Sequence, residues 1–215
     1  MLGARTGAWA KSGNPTPTAY GGLRFTAEAA NSSVQLTAVG SAPSVTLVKS
    51  FDGVNWEDYA VGEVIDLPSI GDFVYLAAGE GGNNAFGASG SAYHKFVING
   101  LVAASGDITS LRSFNLEQTT LATYCYKNMF SGCTGLTSAP ELPATTLATY
   151  CYASMFYRCM KLSLIKVHFT EWKAQVFASW VYNVSPTGTF YKPSALSEEF
   201  GPSNIPTGWT VVNID

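Results

Sequence analysis

The chain has 215 residues, of which 47% are hydrophobic and only 13% charged, and its net charge is −3. That is enough apolar material for one large core or two modest ones, with a charge too balanced to draw the protein to nucleic acid or an anionic membrane. No window approaches the roughly 18 consecutive apolar residues of a membrane-spanning helix, so no membrane span is expected.

Residues 1–22 carry Arg5 and Lys11 and no acid, and end in SGNPTPTAYGG, a run of turn residues that holds neither a helix nor a central strand. The opening MLGARTGAWAKSG lacks the apolar stretch of a signal peptide, because Arg5 and Lys11 interrupt it, and Sec-type export is not expected. Residues 1–22 read as an extended arm and linker. Either Trp9 is incidental in a tail, or Arg5, Trp9 and Lys11 form a docking peptide for another protein.

From 23 to 104 the pattern changes to short alternating segments, LRFTAE, SVQLTA, SVTLVKS, WEDY, EVIDL, DFVYLAA and YHKFVING, separated by Gly, Pro, Asn and Ser. Period-two alternation with frequent turns predicts an antiparallel β-sandwich. Its three basic residues face eight acidic ones. Within it, SFDGVNW (50–56) is similar to the Asp-box turn of sialidase-like repeats but is one residue short between Asp52 and Trp56. A hairpin turned at Asp52-Gly53, with Trp56 covering a sheet edge, explains these residues without a site. The glycine-rich stretch 79–90 lacks the Lys-Ser/Thr ending of a phosphate loop and reads as a mobile surface loop.

Residues 105–168 contain a stretch written twice. LEQTTLATYCYKNMFSGCTGL (116–136) and LPATTLATYCYASMFYRCMKL (142–162) align at a constant offset of 26 residues, the mark of stacked repeats. At about 100° per residue, Leu121, Ala122, Cys125, Met129, Cys133 and Leu136 fall within about 120° of arc, which predicts a buried helical stripe. Tyr124 and Tyr126 border that stripe and return as Tyr150 and Tyr152, so short tyrosine ladders are expected. Pro140 and Pro143 keep the connecting segment extended. The cysteines lie too far apart on such a frame to pair and read as free buried thiols. No close set of Cys or His ligands suggests a metal, and no cofactor is implied.

So short an array needs covered ends. Residues 169–215 predict that cover, with a helix from Thr170 to about Tyr182 and strands at GTFYK (188–192) and GWTVVN (208–213). The chain as a whole is thus expected to be α+β: arm 1–22, sandwich 23–104, repeats 105–168 and cap 169–215.

The phrase APELPATTLATYCYASMFYRC (139–159) closely resembles the BspA-like leucine-rich repeats of gut bacteria and their phages. The segment from Gly188 to Trp209 is similar to one that closes such arrays. The opening MLGARTGAWAKSG resembles the leader of predicted structural proteins of phages that infect gut Bacteroidales. The resemblance implies a leucine-rich-repeat solenoid, used for adhesion or protein binding and without catalytic residues. A phage virion appendage or decoration protein is the expectation, assembled in the bacterial cytoplasm and held to other virion proteins by Arg5, Trp9 and Lys11. Its target would be a host-surface protein or glycan, and homo-oligomerisation is compatible with that role. The alternative is an adhesin on the bacterial cell surface.

An enzyme is not expected. Glycoside hydrolysis needs two carboxyl groups about 5–9 Å apart across a cleft, and no pair stands out. His94, in an alternating strand, reads as a half-exposed sheet residue, and no Gly-x-Ser-x-Gly nucleophile elbow is present. For binding, Tyr124, Tyr126, Tyr150 and Tyr152 are the candidate surface, since tyrosine is a rigid amphipathic anchor. The competing reading is that these rings only seal the core.

Overall fold

The computed structural model describes residues 21–115 and 119–215. The alternating segments form seven strands: β1 (Arg24–Ala27), β2 (Ser32–Val39), β3 (Leu47–Ser50), β4 (Glu57–Tyr59), β5 (Val64–Leu67), β6 (Phe73–Ala78) and β7 (Tyr93–Asn99), with β8 (Val102–Ser105) directly after them. Four more follow: β9 (Leu136–Ser138), β10 (Leu164–Lys166), β11 (Thr189–Lys192) and β12 (Thr210–Asn213). They make a nine-stranded sheet, β12-β11-β10-β9-β8-β1-β6-β3-β4, and a three-stranded sheet, β5-β2-β7.

The large sheet changes character at β8. On one side β8, β1, β6, β3 and β4 pair antiparallel, and on the other β8 through β12 run parallel. The three-stranded sheet lies over the antiparallel half, with Phe25, Val74 and Leu76 of one layer and Val34, Leu36 and Phe96 of the other in a common core. That core runs without a break into the parallel half, through Leu136, Ile165 and Phe190.

The parallel half is where expectation and structure part. Among the described residues the sole helical element is a four-residue 3-10 turn, Ile108–Leu111, so the protein is nearly all β and not α+β. Neither the returns of the repeats nor the segment from Thr170 to Tyr182 is helical. The reason is visible in the backbone. Tyr124, Asn128 and Gly132 have positive φ, as do Tyr150, Ser154 and Arg158 one repeat later, and then Ser179 and Asn183. A left-handed residue at every fourth position breaks any right-handed run. Amide donors then alternate in destination. Cys125, Lys127, Met129, Ser131 and Cys133 donate three residues back, whereas Tyr124, Tyr126, Asn128, Phe130 and Gly132 donate to Thr149, Cys151, Ala153, Met155 and Tyr157 of the next coil at 2.8–3.1 Å. Half the donors that a helix would use internally instead tie one coil to the next. Ser154, Phe156 and Arg158 repeat the arrangement onto Ala178, Trp180 and Tyr182.

This turn run points two residues in and two out, and the inward aromatic rings stack from coil to coil. Phe86, Tyr126, Tyr152 and Phe177 form one column, with centroids 6.1–6.2 Å apart. Phe96, Phe130, Phe156 and Trp180 form the other, at 5.1–5.9 Å. Each column starts on a sandwich residue, so the sandwich closes the first coil. The glycine-rich stretch belongs to that closure: the Phe86 amide donates to the Cys125 carbonyl at 2.9 Å, and Phe86 is buried. It is a lid on the stack instead of the surface loop its composition suggested. Gly135 shows how tight the junction is, since a Cβ there would lie 1.9 Å from the Gly100 carbonyl oxygen. In the next repeat that position is Lys161, which is exposed.

At the far end, residues 193–213 make a last, degenerate coil. The Trp180 indole donates to the Asn204 carbonyl and the Trp209 indole to the Ser185 carbonyl, both at 2.8 Å. The strands expected at 188–192 and 208–213 are β11 and β12.

Candidate binding surface on the turn wall

Of the four candidate tyrosines, two face in and two face out. Tyr126 and Tyr152 are fully buried in the first aromatic column, and the Tyr126 hydroxyl donates to the Ile108 carbonyl at 3.3 Å. Burial pushes both phenols well above their ordinary range. They belong to the core and offer no surface, which corrects the expectation for that pair. Tyr124 and Tyr150 are half-buried and stack on each other at 5.2 Å with 11° between planes. The difference follows from the four-residue pattern, which sends the left-handed residue outward and the residue two further on inward.

Lys127 completes this outer ladder. Its Nζ lies 5.5 Å from the Tyr124 centroid and 5.8 Å from that of Tyr150, within the range at which an ammonium group is attracted to a ring face. A second outer ladder stands near the other end of the turn run. Tyr157 and Tyr182 stack at 5.2 Å and 15°, with the Arg158 guanidinium carbon 5.3 Å from the Tyr157 centroid. Tyr182 is 48% exposed. Sequence reasoning missed this second ladder, because the position equivalent to Tyr157 in the first repeat is Ser131. The 25-residue step from Tyr157 to Tyr182 was the available signal. The wall therefore presents four half-open phenol rings and two cations on backbone that is hydrogen-bonded from coil to coil. Such groups contact proteins and sugars through ring faces, hydroxyls and cation–π pairing.

The other singled-out residues have structural partners. Asp52 accepts from the Val54 and Asn55 amides at 2.8 Å, from the Asn55 side chain at 2.7 Å and from the Ser50 hydroxyl at 2.9 Å. The bonds from Asn55 hold its carboxyl far below the usual carboxylate range. The loop is a braced hairpin connection between β3 and β4, and Trp56 packs over the outer face of the sheet against Tyr75 and Phe114. His94 is buried, not half-exposed; its Nδ1 lies 3.1 Å from the Phe86 carbonyl oxygen, and burial lowers its pKa.

The four cysteines are free and buried. Desolvation pushes the Cys125 thiol up to about 11 and those of Cys133 and Cys151 up to about 12. The Cys133 thiol donates to the Phe96 carbonyl at 3.1 Å, and the Cys159 thiol to the Phe130 carbonyl at 3.0 Å, so each links its coil to the layer before. Among the described residues no group of three or more His, Cys, Asp or Glu side chains could hold a metal ion. The nearest approach to a titratable cluster is at a corner of the stack. There Glu141 pairs with Lys166 and lies 3.8 Å from His168, while Asp107 caps the 3-10 turn through Thr109. Arg5, Trp9 and Lys11 lie outside the described residues. No family model matches the chain, and no curated protein or solved structure matches it either.

Proposed function

We propose that this chain is a non-enzymatic binding protein carried on a phage particle, a virion appendage or decoration protein attached through its N-terminal arm and presenting the turn wall to a protein or glycan on the host surface. The observation that carries the binding part is the pair of outer tyrosine ladders, each with a cation beside it. Two coil-to-coil pairs of stacked rings give a surface whose side chains lose little freedom on binding, since each tyrosine has only two side-chain torsions. The attachment part rests on the sequence resemblance of residues 1–13 to phage leaders, and the repeat resemblance to BspA-like proteins supports the adhesive role.

Two measurements test the two parts separately. The double substitution Tyr124→Ala/Tyr150→Ala abolishes binding to host-cell envelopes while the folded fraction and circular dichroism are retained; unaltered envelope binding overturns the assignment of this wall. Deleting residues 2–13 releases the protein from particles with its circular dichroism unchanged, and retention on the particle overturns the anchoring role. Recovery of the native protein in the outer-surface fraction of uninfected bacteria favours the cell-surface adhesin instead.

A further inference from the structure

The turn runs of the coil stack carry charge of one sign. Residues 119–134 and 145–163 contain Lys127, Arg158 and Lys161 and no acid, and residues 174–185 contain no charged residue, in a chain whose net charge is −3. Elsewhere Lys49, Lys166, Lys173 and Lys192 are each paired with a glutamate. Lys127, Arg158 and Lys161 have no ion-pair partner among the described residues. Nor do the Lys127 ammonium, the Arg158 guanidinium or the hydroxyls of Tyr124, Tyr150, Tyr157 and Tyr182 have a hydrogen-bond partner among those residues. The two cations are held against ring faces instead, and a ring quadrupole places a cation without cancelling its charge. Beside the first ladder the glycine-rich loop adds hydroxyls. A Cβ on Gly90 would lie 3.3 Å from Lys127 Nζ, so the ammonium rests against this loop, where the Ser89 and Ser91 hydroxyls are 3.4 Å apart.

We propose that the ligand of this wall is an acidic polysaccharide, a chain of sugars bearing carboxylates, and that Lys127 and Arg158 are the groups that bind its acids. This narrows the binding role proposed above and rests on it. The sign of the charge calls for an anion: two placed, unpaired cations lose no existing partner when a carboxylate arrives, and each gains a charge-assisted hydrogen bond. One cation stands beside each ladder, which suits a ligand whose acids recur along its length. The surroundings of the cations favour sugar over an acidic peptide. Thr123, Asn128, Ser131, Thr149, Ser154 and Asn183 are exposed or half-buried on the same turn runs, and all are uncharged and polar. A protein interface draws most of its affinity from a few large anchors packed in desolvated pockets. Hydroxyls and amides spaced along a wall match the hydroxyls of a sugar chain instead, and the phenol rings offer apolar bodies to its C–H groups with a polar tip beside them.

Titration calorimetry of the full-length protein with a long oligogalacturonate and with its methyl ester tests this. The acid binds, and the ester, which has the same sugars without the charge, binds about tenfold more weakly or not at all. Lys127→Gln/Arg158→Gln weakens binding of the acid by about the same factor with circular dichroism unchanged. Lys166→Gln/Lys173→Gln removes two cations that are already paired with glutamates and leaves the affinity within about twofold. Failure of the acid to bind, equal binding of acid and ester, or equal losses in the two double variants overturns the proposal. A poly-glutamate peptide that binds as tightly as the oligogalacturonate overturns the sugar assignment in favour of an acidic protein. The narrower and the broader reading fail separately. If Tyr124→Ala/Tyr150→Ala abolishes binding to host-cell envelopes and Lys127→Gln/Arg158→Gln leaves it intact, the wall binds but its ligand is not acidic. If neither pair alters envelope binding, the wall itself is the wrong surface.

Discussion

Two kinds of residue carry unusual costs in this fold. The first are the side chains in left-handed backbone. Asn and Gly are the residues that visit this region most readily, and the first repeat uses Asn128 and Gly132 there; the second uses Ser154 and Arg158 at the same points. The second repeat therefore bears strain that the first avoids, about 1 kcal/mol per position. Ser154→Asn copies the residue found one coil earlier and is expected to stabilise the protein by about 0.5 kcal/mol, a rise in Tm of about 1–2 °C. Calorimetry of the two proteins checks this, and a lower Tm counts against the repeat-to-repeat equivalence.

The second kind is the half-buried carboxyl of Asp107. Burial raises its pKa more than its bonds to the Thr109 amide and hydroxyl lower it. A folded carboxyl that holds its proton more tightly than the unfolded one favours folding most in acid. That advantage is lost as pH rises from about 3.9 through the folded value. Asparagine keeps the acceptor oxygen and has no charge to desolvate, so Asp107→Asn gains stability relative to the parent as pH rises from 4 to 7. Urea midpoints at the two pH values give the sign, and a relative loss at pH 7 would show that the charge itself is needed.

At the scale of elements, the strands were legible and the repeat returns were not. All seven alternating segments of the sandwich are strands, because one buried face imposes period two on the sequence. The returns repeat every four residues, and over three steps a four-residue period resembles the helical 3.6: Leu121, Cys125, Met129 and Cys133 satisfy both. Phe130 discriminates. In a helix it would stand about 180° from Leu121 and face solvent, yet it is fully buried in the second column. Helix-poor Asn128, Ser131 and Gly132 pointed the same way. The second ladder is faint in the sequence for another reason: it joins the second repeat to a third coil that keeps Tyr182 at nearly the same spacing but has otherwise diverged. The columns, not helix formation, hold the stack. Phe130→Ala removes a ring that touches Phe25, Phe96 and Phe156 and is expected to cost about 3–5 kcal/mol. Tyr124→Ala, in the outer ladder, should cost about 1 kcal/mol or less, as a half-exposed ring pair outside the core. Similar losses for the two would contradict the separation between inner column and outer wall.

For the whole molecule, the decisive element is β8. It pairs antiparallel with β1 over four residues and parallel with β9, so it belongs at once to the sandwich and to the coil stack. The aromatic columns cross the same boundary from Phe86 and Phe96, and one hydrophobic core extends from Phe25 to Trp209. A stack of repeats alone unfolds by fraying from its ends, because each unit touches only its neighbours. Here the first coil is backed by the sandwich through the sheet, both columns and the Phe96 amide, which donates to the Met129 carbonyl at 2.7 Å. Opening either half exposes the core of the other. Thermal unfolding is therefore expected to be a single transition, and Val34→Ala in the three-stranded sheet and Phe156→Ala in the second coil should each lower that same transition. If Phe156→Ala instead splits the melt, leaving near-ultraviolet signals of the sandwich intact at temperatures where the coil stack has gone, the two halves are thermodynamically separate despite their shared strand.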